Sequence, residues 1–273
     1  MSSSEPLPTT TVPTRHSMAS KVPVVTAAFW ILKILTTGMG EAASDALVRA
    51  GGAVAVAGTA VALAASFVLQ FRASRYVPWI YWLTVAMIGV FGTMAADLPH
   101  FLGVPVWAIS AIYLAAVLVI FFLWHRAEGT LSFDSINTRR RETYYWAAVV
   151  ATFALGTAVG DWTAQSWGLG NLGSGIMFTV LILLPVAARR RFGLNAVTAF
   201  WIAYVLTRPL GASFADWMGS PTGRGGLGFE MAYVAVGWLL AIAVFVGYLA
   251  VTRKDARTGR SSVQGQDDSA IGC

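Results

Sequence analysis

FWILKILTTGMGEAASD, residues 29–45, is the first of four gap-free copies of one pattern. The others are YWLTVAMIGVFGTMAAD (81–97), YWAAVVATFALGTAVGD (145–161) and FWIAYVLTRPLGASFAD (200–216). Each copy reads Phe or Tyr, then Trp, nine residues, Gly, four residues, Asp. Trp30, Trp82, Trp146 and Trp201 align, as do Gly40, Gly92, Gly156 and Gly211, and Asp45, Asp97, Asp161 and Asp216. Self-similarity at fixed spacing decides the architecture ahead of any local reading: one unit of roughly 50–65 residues is used four times.

Outward from the motif, composition names the solvent. The chain has 273 residues, 56% hydrophobic and 12% charged, with a mean hydropathy of +0.64. Soluble domains carry about 25% charged residues. Eight apolar stretches lie at about 23–48, 51–71, 78–98, 103–124, 143–165, 172–188, 195–217 and 229–251. Each is near the ~20 residues that cross the hydrocarbon core as a helix. The predicted fold is all-α: a polytopic membrane protein with eight transmembrane helices in four parallel two-helix repeats. The repeats fall at about 22–75, 76–126, 142–191 and 194–252, each with one motif helix and one plain helix. Residues 1–21 read as a disordered N-terminal tail and 253–273 as a polar tail. The lone cysteine, Cys273, excludes a disulfide framework and a cysteine-based metal site.

Basic residues give the expected topology. The two tails and the loops after the second, fourth and sixth helices hold Arg15, Lys21, Arg72, Arg75, Arg126, Arg139, Arg140, Arg141, Arg189, Arg190, Arg191, Arg253, Lys254, Arg257 and Arg260. The opposite loops hold Arg49 and Arg224. Fifteen against two places both termini in the cytoplasm of a bacterial inner membrane. This bias accounts for the net charge of +6, so no nucleic-acid partner is implied.

With every motif helix starting on the same side, Trp sits at the inner end and Asp about 22 Å further along the axis. At about 100° per residue, the positions 3, 7, 10, 11 and 15 after the Trp share one arc with it. In the first repeat these are Lys33, Thr37, Gly40, Glu41 and Asp45; in the fourth, Tyr204 and Arg208 take the first two. An arc with such charges faces a bundle interior or a watery cavity, not lipid. The glycines allow close helix approach. Arg208-Pro209 is expected to kink its helix. The segment GLGNLGSG (168–175) reads as a turn.

Four tandem two-helix units with a repeated tryptophan resemble a family of bacterial membrane proteins built from a repeat of unknown function, labelled uncharacterised membrane-anchored proteins. The resemblance covers about residues 22–250. It implies the eight-helix fold and brings no activity, substrate or cofactor.

Two bases (Lys33, Arg208) and five acids (Glu41, Asp45, Asp97, Asp161, Asp216) lie within the apolar stretches, a formal interior charge of −3. The lead expectation is a transporter or permease of a small cationic or proton-coupled solute, with the bilayer as its standing partner. The four Asp bind or steer the cation, Glu41 titrates, and Lys33 and Arg208 switch carboxylate partners. The alternative is a non-transporting sensor, assembly factor or scaffold. No Ser/His/Asp set, P-loop or dinucleotide fingerprint is present, so an enzyme is not expected. No cofactor or defined metal site is legible, and the sequence leaves the oligomeric state open.

Overall fold

The computed structural model describes residues 20–252. The expected tails, residues 1–19 and 253–273, lie outside the described residues. Among these the secondary structure is helical, with no strand. The main helices are α1 (Ala27–Arg72), α2 (Pro78–Phe101), α3 (Val106–Glu128), α4 (Arg139–Asp161), α5 (Gly170–Leu181), α6 (Leu183–Phe192), α7 (Ala196–Gly219) and α8 (Met231–Thr252).

Six helical segments are long and apolar enough to cross a membrane: α1, α2, α3, α4 with its extension to Ser166, α5–α6 together, and α8. α7, which carries Arg208 and Asp216, is not among them. The expected first two spans are one 46-residue element, α1, in which Gly52 alone is non-helical (φ 48°, ψ −128°). Gly supplies a positive φ that a side chain would resist. A straight α1 would be about 69 Å long. Instead the Tyr76 N–H donates to the Ser20 carbonyl at 3.2 Å, so the chain doubles back at Gly52 and α1 is two antiparallel arms.

Two local expectations change. The stretch expected as one helix over 172–188 is broken at Ile182 into α5 and α6. Pro185 explains the break: it has no N–H for the Leu181 carbonyl, and its ring crowds that carbonyl. The glycine-rich segment 168–175 is non-helical only as far as Leu169, and Gly170, Gly173 and Gly175 belong to α5. α7 runs through Pro209 as one continuous helix. At the end of α4, Trp162–Ser166 continue as a π-helical turn.

The four motif helices (the first arm of α1, then α2, α4 and α7) hold most of the buried residues. They form a closed ring, each packing on the next, with α7 returning to α1. The glycines show the register of this ring. A Cβ on Gly40 would stand 2.7 Å from the Gly89 backbone, and one on Gly156 would stand 2.6 Å from Arg208 Cβ. Gly92 lies against Phe153, and Gly211 against Thr37, Gly38 and Ile34. Thus the glycine ten residues after each Trp receives the residue seven after the next Trp, and the fourth repeat closes on the first.

The plain helices lie outside the ring. Each packs on the motif helix of the following repeat: the second arm of α1 on α2, α3 on α4, α5 on α7, and α8 on α1. Trp238 of α8, for example, fills the space in front of Gly38.

Candidate functional site

The ring encloses a stack of tiers set by the motif. At the Trp end, the aromatic residue preceding each Trp turns to the axis. Phe29, Tyr81, Tyr145 and Phe200 all line one small void, capped by Val22 and Phe133. The Tyr81 and Tyr145 hydroxyls share a hydrogen bond. Phe133, from the connection between α3 and α4, stacks on Phe200 at 3.9 Å between centroids. The collar therefore closes this end. Trp82, Trp146 and Trp201 are buried among helices rather than set in an interface with lipid. Trp146 meets Phe67, and Trp201 meets Phe121 and Trp124.

The next tiers carry the charges. Lys33 and Arg208 are each 1% exposed. Arg208 Nη2 donates to Glu41 Oε2 and, at 2.6 Å, to Thr93 Oγ1. Position 11 of the first two repeats thus converges on position 7 of the fourth. Arg208 also lies 4.5 Å from the Phe153 ring centroid, and its Nε and Nη1 have no hydrogen-bond partner.

Lys33 departs from expectation, since no carboxylate pairs with it among the described residues. Its Nζ sits 4.4 Å from the Tyr204 ring centroid and 5.0 Å from that of Phe153. Both aromatic faces attract a cation through the ring quadrupole. Buried Thr36, Thr37, Thr152 and Thr207 surround this level, their hydroxyls turned to carbonyls of their own helices. Thr37 also donates to the Thr207 carbonyl, tying α1 to α7.

At the far end, Asp45, Asp97, Asp161 and Asp216 are all half-buried. Each is within electrostatic reach of Glu41 and Arg208 and of at least one other motif Asp. Asp45 is also held by Arg49 at 2.7 Å. Among the described residues, no three of His, Cys, Asp and Glu come together to hold a metal ion. The Asp set is an acidic mouth rather than a chelate.

Sequence reasoning missed two groups. Phe153, which was not singled out, and Tyr204, placed on the polar arc without a role, are the platforms for Lys33 and Arg208. Lys21, placed with the tail, is 2% exposed, and its Nζ is 2.7 Å from Glu142 Oε2. Gln70 reaches the other Glu142 oxygen at 3.3 Å, so this cluster joins the N-terminal segment to the first and third repeats. A lysine just ahead of an apolar run and a glutamate behind three arginines are common at helix ends, so neither carried a signal.

The arrangement defines a class: an all-helical protein with several helices of membrane-spanning length, built by internal repetition around a charged axis. The chain belongs to the family described as Repeat of Unknown Function (DUF347), whose repeat matches four times, at residues 28–76, 80–130, 144–194 and 199–255. Neither a curated protein nor a solved structure matches it.

Proposed function

We propose that the chain is an eight-span membrane protein with cytoplasmic termini that carries a small cation or proton along the ring axis. The observation behind this reading is the position of the Glu41–Arg208 pair. It is buried between a half-open acidic mouth and a closed aromatic collar. An ionised pair at such depth is costly unless something uses it. The four Asp concentrate a cation at the mouth. Entry of the cation or proton beside Glu41 weakens the hold of that carboxylate on Arg208. Released from Glu41, Arg208 keeps only Thr93 and the Phe153 face, and the ring loosens toward the collar. The conformation described is then the one closed at the Trp end, and no covalent chemistry is involved.

The alternative, a sensor or scaffold, is favoured by one feature: Phe153 fills the axis between Lys33 and Arg208, and the two roomy cavities described lie away from these charges. The test is reconstitution of the full chain in liposomes with a trapped pH dye. Gradients of protons, sodium, potassium and a small organic ammonium are imposed in turn. Expected is a cation-dependent signal that Glu41→Gln abolishes while the variant stays folded. Wild-type vesicles that behave as empty ones under every gradient would overturn the transport reading.

A further inference from the structure

The pseudo-fourfold ring has one unfilled seat. The plain helix of the first repeat covers Trp146 with Phe67, and that of the second covers Trp201 with Phe121 and Trp124. Each reaches the motif Trp two repeats further on. By the same rule the plain helix of the third repeat faces Trp30. Its corresponding stretch, LLPVAA (183–188), holds no aromatic residue, and the break at Ile182 redirects it. Trp30 is half-buried where the other three motif tryptophans are buried.

In that place is a cavity of about 700 Å³, walled by Trp30, Ile34, Phe200, Ala203, Ile182 and Pro185. At its rim are Arg189 and Arg190, together with Asp134. Both arginines are exposed, and neither forms an ion pair among the described residues. Apolar walls beneath a basic rim match one chemistry: an acyl chain beneath a negatively charged phosphodiester. The α6 end is also where the basic residues of the chain concentrate, and anionic lipids attract juxtamembrane arginines.

We propose that this cavity is a binding site for one anionic phospholipid, whose acyl chain takes the place of the missing aromatic against Trp30 and whose phosphate lies between Arg189 and Arg190. The single rim carboxylate, Asp134, leaves the rim net positive. Occupancy would complete the packing of the first repeat on its open flank. This inference stands whether or not the axis transports anything.

The test uses the full chain, delipidated in neutral detergent and titrated with phosphatidylglycerol, phosphatidylcholine or sodium phosphate. Native mass spectrometry counts bound lipid. Expected is one retained phosphatidylglycerol per chain, with phosphatidylcholine washed off and phosphate failing to compete at equal concentration. Arg189→Gln with Arg190→Gln should weaken retention roughly 25-fold, each arginine near a head group contributing about a factor of five. Val186→Trp, at an exposed wall position, should exclude the chain with both arginines intact. The pair Arg72→Gln and Arg75→Gln, equally basic and outside the cavity, should leave retention unchanged. Equal retention of phosphatidylcholine, displacement by phosphate alone, or full retention in both cavity variants would overturn the proposal.

Discussion

Substituting alanine at three of the motif glycines separates backbone contact from mere proximity. In Gly40→Ala the new Cβ would lie 2.7 Å from the Cα and carbonyl carbon of Gly89, atoms that cannot rotate away. In Gly211→Ala it would overlap Thr37 Oγ1 and lie 2.8 Å from the Gly38 nitrogen and Ile34 oxygen. In Gly92→Ala its nearest neighbour is Phe153 Cδ1 at 3.4 Å, an ordinary contact. Alanine is worth about 1 kcal/mol over glycine in a helix. Overpacking costs about 1–3 kcal/mol, with backbone-blocked sites at the upper end. Gly92→Ala should therefore match or exceed wild type. Gly40→Ala and Gly211→Ala should each lose about 2 kcal/mol or more. On the scale of domains of about 150–250 residues this lowers the melting temperature by about 4–8 °C. Thermal melts of detergent-purified protein, followed by monodispersity, measure it. If Gly92→Ala falls as far as Gly40→Ala, the staggered register of the ring is wrong.

Four further outcomes follow from named contacts. Arg208→Gln strands the Glu41 carboxylate and should cost about 3–5 kcal/mol, while Glu41→Gln with Arg208→Gln together should cost less than the sum of the singles; a double-mutant thermal cycle that adds without coupling would contradict the ion pair. Lys33→Met removes a buried cation that has no carboxylate and should melt at or above wild type, yet alter any axial flux; a large loss of stability would mean that Lys33 has a partner. Lys21→Met leaves Glu142 and Gln70 without their cation and should destabilise by about 3–5 kcal/mol, with Glu142→Leu milder; near-wild-type melts for Lys21→Met would remove that cluster as a fastening. Gly52→Ala meets no atom within 4 Å, so its cost should come from the backbone conformation alone, about 1–3 kcal/mol; a neutral melt would show that the turn between the arms adapts.

The inner ring was legible because the motif fixes both a helical arc and a repeat count, and an arc holding Lys33, Glu41 and Arg208 has nowhere to face but inward. The stagger that sets Gly40 on Gly89 and Gly211 on Thr37 was not, since register between helices depends on the shapes of both surfaces and leaves no periodic trace in either. The partner of Arg208 was foreseen as an acid. That of Lys33 was not, because an aromatic face has no charge to count in a sequence. The turn between the first two spans was legible as the gap between the stretches 23–48 and 51–71, and Gly51-Gly52 marks it. The break at Ile182 is marked by Pro185, yet its consequence, an empty place beside Trp30, appears only when the repeats are laid around an axis.

Ring closure also sets a schedule for biogenesis. Glu41 and Arg208 are separated by 167 positions in the chain. At about 5–20 residues per second, roughly 8–33 s pass between their syntheses. Throughout that interval the first hairpin holds a carboxylate and an open glycine face whose counterparts do not yet exist. A nascent chain arrested before α7 should therefore present Glu41 to carbodiimide labelling and to membrane quality control, and release of the arrest should bury it. The last motif helix to emerge is the one that locks the first, so damage to α7 should be read by the cell as a defect in the N-terminal hairpin.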